Sequence, residues 1–515
     1  MGFTGGPKFP SSFLEELKRT FGPERVLTDI EDLYVYSFHG EFCIRRRSIP
    51  SAVLRLHSES EEKELMKLAR TRGVKAIRND GSSQGLEPVE ESVPVLLMDV
   101  RGSLEGDALR RRLSELEEIT ACKKKEMKAA PSRLHWFTSS MKGRDGYRIH
   151  DCPDCDDGYC VVQPFFDGVE TWSSKGRLLL TRGLFRGELE AKEKLIDSMY
   201  NCTACGQCYD QISATGLEMN NAIIQARNEI VKRGAGPKAS RVLAGNILEQ
   251  GNPLGMAAED RSLWFEDFID EFPFESNDVL YWAGCSPSYR IPNAVESMVK
   301  VLERAEVDFG ILGDREGCCG LILYLLGLWD EARENALRTS ETIKESGART
   351  LVTGCAGCYY AFKRIYPENL NICLPLEVLH TSQLLESLVI DNVLNLRRAK
   401  IKVAWHDPCD LGRHCAVYEA PRNVLRAIPG LQLKEMPLNR EHAMCCGAGG
   451  GLWMYNQKLA EKVAHAKMAE EIRSTEVDGV VTGCPTCILN LRYASKSLDS
   501  EIPVFDLAEF VSQRL

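Results

Sequence analysis

Short apolar runs that end at a cysteine or a glycine alternate with amphipathic stretches through the C-terminal half of this chain. DVLYWAGCS (278–286) predicts a buried strand that feeds a loop at Cys285. NAVESMVKVLERA (293–305) repeats its apolar residues at helical spacing, and VDFGILGDREGCCG (307–320) predicts a second strand and a glycine-rich loop. WDEARENALRTSETIKESGA (329–348) predicts a long amphipathic helix stopped by glycine, and RTLVTGCAGCYYAFKR (349–364) a strand, a turn and a helix. The same order returns in IKVAWHDPC (401–409), MCCGAGGG (444–451), LAEKVAHAKMAEEIRS (459–474) and GVVTGCPTCILNLR (479–492). Strand alternating with helix predicts α/β domains, with the cysteines just beyond the carboxyl ends of the strands, where open sheets place their ligands.

The recurrence is a duplication. Cys285, Cys318-Cys319-Gly320 and Cys355-x2-Cys358 return as Cys409, Cys445-Cys446-Gly447 and Cys484-x2-Cys487, at offsets of 124, 127, 129 and 129 residues. VTGCAGC (352–358) and VTGCPTC (481–487) are nearly the same word.

The chain has 515 residues, a length for several domains, with 44% hydrophobic and 27% charged residues. Its net charge of -10 argues against a nucleic-acid partner. The opening MGFTGGPKFPSSFLEELKR lacks the apolar core of a secretory signal. The longest apolar run, LILYLLGLW (321–329), is too short for a transmembrane segment. A cytoplasmic location is therefore expected. There, twenty cysteines mean metal or redox chemistry rather than structural disulfides.

Adjacent cysteines cannot bridge to each other without distorting the peptide, and a single zinc takes its thiolates from C-x2-C pairs. Neighbouring thiolates suit a cluster in which each reaches a different metal atom. Glycines at 320 and 447–451 allow close backbone approach, loop amides can donate to sulfur, and helix N-termini favour a negative cluster.

A cysteine, a spacer, an adjacent pair with glycine, a second spacer and C-x2-C together resemble the CCG, or cysteine-rich, domain of heterodisulfide reductase catalytic subunits. The spacers are 32 and 34 residues in the first copy and 35 and 36 in the second, and no cysteine is missing. The resemblance implies a non-cubane [4Fe-4S] cluster in each copy, on Cys285, Cys318, Cys319, Cys355 and Cys358 and on Cys409, Cys445, Cys446, Cys484 and Cys487. It also implies reductive cleavage of a small-molecule disulfide between them. Relatives with the same domain pair are electron-transfer subunits of flavin-dependent glycolate- or lactate-type dehydrogenases. That is the alternative, and it brings a flavoprotein subunit as redox partner.

Upstream, CPDCDDGYC (152–160) and CTACGQC (202–208) read as a degenerate ferredoxin-type pair. The second run lacks its fourth cysteine, which is Ile212, and the first lacks its first. Because the fourth cysteine of each run serves the other cluster, one [4Fe-4S] cubane is expected on Cys160, Cys202, Cys205 and Cys208. Cys152 and Cys155 are two ligands short of a second cubane. They are left to recruit Cys43 or Cys122, to bind zinc, or to hold nothing.

VLTDIEDLYVYSFHG (26–40), SIPSAVLRLHSESEEKELMKLARTRG (48–73) and VKAIRNDGSSQGLEP (74–88) look like the opening of an FAD-linked oxidase domain, with Asn79, Gly81 and Gly85 in the loop that would cradle a pyrophosphate. The pattern stops early. FAD is not expected in this chain alone, and a packing or docking remnant is the favoured reading.

His406 and His442, each close before a proposed ligand, are candidate proton donors to a leaving thiolate. Arg413 and His414 are candidates to face a substrate anion, and Cys373 and Cys415 read as spare core thiols. The expected fold class is α/β: duplicated CCG domains preceded by a mainly helical ferredoxin-like domain and a small α/β N-terminal domain. The expected boundaries are an FAD-linked-oxidase-like remnant (1–103), a linker (104–150), a ferredoxin-like domain (151–256), an acidic linker read as a solvated surface helix (257–277), and CCG domains at 278–392 and 393–515.

Overall fold

The computed structural model describes residues 9–36, 50–72, 74–79, 95–99, 160–167, 169–208, 219–268, 278–500 and 502–515. The chain forms two units, residues 1–190 with 211–216, and residues 191–210 with 217–515.

In the first unit, strands β1 (Val26–Leu27), β2 (Ala52–Arg55), β3 (Lys75–Asn79) and β4 (Val95–Asp99) form one sheet in the order β1-β2-β4-β3. β2, β3 and β4 are parallel, and β1 joins antiparallel. One face is sealed by the helix Ser11–Phe21, which buries Phe13, Leu17 and Phe21 against Val26, Leu54, Leu96 and Met98. Asn79 ends β3, whereas Gly81 and Gly85 lie outside the described residues, as do Cys43, Cys122, Cys152 and Cys155. Asp32 is buried in the helix Ile30–Tyr36 and accepts from Thr171 Oγ1 at 2.5 Å, which fixes that helix to the segment leading into the helix Ser174–Phe185.

The second unit holds the duplication. The first copy has β5 (Val279–Trp282), β6 (Phe309–Ile311), β7 (Thr350–Thr353) and β8 (Glu377–His380). The second has β9 (Lys402–Trp405), β10 (Gln432–Lys434), β11 (Gly479–Thr482) and β12 (Val504–Asp506). Their orders are β6-β5-β7-β8 and β10-β9-β11-β12, all parallel, so the two sheets share one topology. The central strands are buried on both faces, as a sheet covered by helices on both sides requires.

The copies pack reciprocally. The helix Pro292–Arg304 of the first lies against the helix Leu507–Ser512 of the second, and Thr381–Ile390 of the first lies against Glu419–Arg426 of the second. The last helix of each copy thus rests on an early helix of the other. Ile291, Ala294 and Ile488 fill part of the seam. Where the sheets' carboxyl ends meet, Ala356 N–H donates to Gly483 O at 3.2 Å and His380 Nε2 lies 3.0 Å from the same oxygen. A Cβ at Gly483 would fall 2.6 Å from His380 Cε1, so glycine is what lets the two C-x2-C turns close on each other.

Two sequence readings change. The acidic segment at 257–277 is not simply a solvated helix: Glu259–Phe268 winds as a 3-10 helix that buries Arg261 and Ser262. Cys373 is exposed rather than a core thiol, while Cys415 is half-buried.

Candidate metal centre

Every cysteine of the duplicated pattern follows the end of a strand: Cys285 and Cys409 after β5 and β9, the adjacent pairs after β6 and β10, the C-x2-C pairs after β7 and β11. Loops at the same end of one sheet converge, and so do their thiols. In the first copy hydrogen-bonded contacts run Cys285–Cys318–Cys319–Cys358–Cys355. In the second they run Cys409–Cys445–Cys446–Cys487–Cys484. The same order in both copies puts the second cysteine of each adjacent pair at the middle of its chain of sulfurs.

That position has an electrostatic signature. Hydrogen bonds from Cys445 and then Cys487 pull the Cys446 thiol down to about 5, and those from Cys318 and Cys358 pull Cys319 down to about 6. The outer members move up: Cys487 beside Cys446 and Cys484, and Cys358 beside Cys319 and Cys355. Backbone amides help, with Gly320 N–H on Cys318 Sγ and Gly447 N–H on Cys445 Sγ, each at 3.4 Å. Gly447 needs its glycine: φ is +92°, and a Cβ would lie 2.7 Å from Ala460 O.

Buried ion pairs set the loops. Glu316 accepts from the N–H groups of Ala283 (2.8 Å) and Gly284 (2.7 Å) and pairs with Arg261 Nη1 at 2.9 Å. Burial pushes the Glu316 carboxyl up, and Arg261 and the two amides oppose that shift. In the second copy Asp407 accepts from both Arg422 Nη atoms at 2.7 Å, from Trp405 Nε1 at 3.0 Å and from Arg440 N–H at 2.8 Å. The carbonyls of the adjacent pairs are also held, Cys318 O by Asn335 Nδ2 (2.8 Å) and Cys446 O by Asn490 Nδ2 (2.7 Å). Arg261, Glu316, Asp407 and Arg422 gave no motif in the sequence; each finds its partner only across the folded loops.

The CTACGQC loop sits on the second copy. Cys205 is within hydrogen-bonding reach of Cys445, which together with burial drives its thiol up. Arg413 donates through Nε to Cys205 O (2.8 Å) and through Nη1 to Ala443 O (2.6 Å) and Glu441 O (3.1 Å). Gln207 Nε2 reaches His442 O at 3.0 Å. Gly450, at φ +62°, passes so close that a Cβ would lie 2.5 Å from Thr203 C. Arg413 thus clamps the two loops through Nε and Nη1, while its buried Nη2 has no partner among the described residues. His414 is likewise engaged, 3.1 Å from Ala204 O through Nε2 and stacked on Tyr360 at 4.6 Å. Cys160 belongs to the other unit, where Arg177 Nη1 lies 3.3 Å from its sulfur.

The candidate histidines separate. His442 is half-buried, its Nε2 3.6 Å from Glu441. His406 is buried, and one of its ring nitrogens and the sulfurs of Cys446 and Cys487 lie within 4.8 Å of one another. Burial, Lys467 and Arg413 hold it well below the usual histidine range, against the opposing pull of Asp407. Asp410 bridges the copies: its Oδ1 lies 3.8 Å from Cys409 Sγ, and its Oδ2 would be 3.5 Å from a Cβ at Gly357, inside the first copy's C-x2-C turn.

The donor set fits iron–sulfur clusters. Five thiols in one pocket, two of them adjacent in sequence, exceed what a tetrahedral zinc accepts, and backbone amides donating to sulfur suit a cluster's charge. Parallel α/β domains that gather cysteines in this way define a class of iron–sulfur redox proteins.

The cysteine-rich domain family, CCG, matches residues 279–363 and 403–492. A subunit of the dihydromethanophenazine:CoB–CoM heterodisulfide reductase of Methanosarcina acetivorans is 33% identical over 328 residues, which is 63% of this chain and 79% of that one. A subunit of the fumarate reductase (CoM/CoB) of Methanothermobacter marburgensis is 30% identical, over 58% of this chain and 57% of that one. A protein named EtfAB:quinone oxidoreductase from Syntrophomonas wolfei is 28% identical, over 61% of this chain and 46% of that one. The chain belongs to the CCG-domain iron–sulfur oxidoreductases of the heterodisulfide reductase type. Among the described residues no helix is long and apolar enough to cross a membrane.

Proposed function

We propose that this chain is the disulfide-cleaving subunit of a reductase, with one non-cubane [4Fe-4S] cluster in each CCG copy and a cubane served by Cys202, Cys205 and Cys208. The observation that carries the reading is the pair of complete five-thiol sets, in matching order, facing each other through the C-x2-C turns. The reaction is RSSR + 2 e⁻ + 2 H⁺ → 2 RSH, with electrons from a one-electron redox partner protein. When bound, the clusters supply one-electron storage and iron sites for sulfur. The chain's own residues fix the loops through Glu316 and Asp407 and set Asp410 between the two sets. Cys285 and Cys355 are half-buried residues, whereas all five cysteines of the second copy are buried, which favours substrate entry at the first set.

A second reading rests on the relative named EtfAB:quinone oxidoreductase: an electron-transfer subunit that works with a flavoprotein partner. Anaerobic iron and sulfide counting with EPR, with and without small-molecule disulfides, separates the two. About twelve irons per chain, four for each of three clusters, and a paramagnetic signal that appears only with a disulfide support the reductase. The same iron with no disulfide-dependent signal supports the electron-transfer subunit.

A further inference from the structure

His406 and Trp282 stand at the same place in the two copies, each three residues before the first cysteine of its set and just past or at the end of the first strand. Both rings are buried, and among the described residues their ring nitrogens have no hydrogen-bond partner: Nε1 of Trp282, and Nδ1 and Nε2 of His406. Leaving a buried polar group unpaired costs about 1–3 kcal/mol, so an orphan at the wall of a thiol pocket implies a partner that comes with the pocket's occupant. Trp282 is committed to an edge-on contact with Phe362, 5.1 Å between ring centres. Among the described residues His406 has no ring contact of that kind, and one of its nitrogens lies beside the sulfurs of Cys446 and Cys487.

We infer that His406 is a hydrogen-bond donor to the loaded second site, its ring N–H directed at sulfur held by Cys446 and Cys487, and that it is a positioning and tuning residue. The inference rests on the reading that this site holds an iron–sulfur cluster. An imidazole that is not deprotonated carries at least one ring N–H, and both ring nitrogens of His406 are buried without a partner among the described residues. Lys467, near His406, is paired with Glu471 at 2.6 Å, and both are buried. An N–H donated to cluster sulfur disperses negative charge and favours the reduced state, so it raises the potential of the site that receives it.

The test uses the full chain, loaded anaerobically, with His406→Phe to remove the donor and His406→Gln to keep one. Iron content of the wild-type protein is measured first: absence of iron overturns the underlying reading and this inference together. With iron present, the wild type is expected to show an exchangeable-proton hyperfine coupling on one cluster signal, lost in deuterated buffer. The Phe variant is expected to keep its iron, lose that coupling and show a lower midpoint potential for that cluster alone, with both features returned by Gln. An unchanged potential and coupling in the Phe variant overturns the inference and leaves the cluster reading standing, and so does a directly bound histidine nitrogen. Should the Phe variant not fold, wild-type protein labelled with ¹⁵N only in histidine decides the same point: weak coupling through a hydrogen bond supports the donor role, and strong coupling or none overturns it.

Discussion

Glu316 and Asp407 perform the same task from opposite loops. Glu316 lies two residues before the adjacent cysteines of the first copy and accepts from the amides just before Cys285. Asp407 lies two residues before Cys409 and accepts from the amide of Arg440, in the loop leading to Cys445. In each copy a buried carboxylate ties the first cysteine's loop to the adjacent pair's loop, and an arginine balances its charge.

The two clamps differ in redundancy. Glu316→Gln leaves Arg261 without its carboxylate in a site where both partners are almost fully buried, which costs about 3–5 kcal/mol. Asp407→Asn leaves Arg422 still paired with Glu435 at 2.8 Å, so the loss is smaller, about 2 kcal/mol. Urea titrations of the two variants are expected to show that order.

The glycines test close approach against free space. Gly447→Ala meets both a positive φ and a carbonyl 2.7 Å away, and is expected to cost about 2–4 kcal/mol and to lower iron content. Gly245, in the helix Lys238–Gln250, has nothing within 4 Å of its added Cβ, so Gly245→Ala is expected to stabilise by about 0.5–1 kcal/mol. Thermal melts with iron assays compare them.

Asp506 gives a pH dependence. Burial raises its carboxyl to about 7, although the amides of Ala508 and Glu509 oppose the shift. An unfolded aspartate titrates near 3.9, so the folded state holds a proton that the unfolded state releases. The stability from neutral Asp506 is full below about pH 3.9 and is lost as pH rises through about 7. Asp506→Asn keeps a side-chain acceptor for Ala508 N–H and is expected to flatten the stability–pH curve across that window.

Thiol labelling reads the burial directly. Cys373 is the exposed cysteine among the described residues, so brief maleimide treatment of the loaded protein is expected to modify it first, with no loss of iron. Mass spectrometry locates the adduct, and Cys373→Ser should remove it.

Much of the architecture was legible in the chain. Apolar runs ending at cysteines marked the strands, and the repeated spacing of five cysteines marked two α/β copies, because strand–loop–helix order is written in local periodicity. The grouping of thiols within each copy follows from the same fact, since loops at one end of one parallel sheet must converge. What the chain by itself could not assign were contacts between distant segments. Arg261 and Glu316 are 55 residues apart, and the acidic stretch around Arg261 reads as surface until its partner is known. The seat of Cys205 against Cys445, the clamp of Arg413 and the approach of Gly483 to His380 were likewise decided only by folding. The physical reason is that period and spacing are properties of neighbours along the chain. Whether a charge meets its counterion, a thiol its neighbour or a ring nitrogen an empty wall depends on which surfaces the packed sheets bring together.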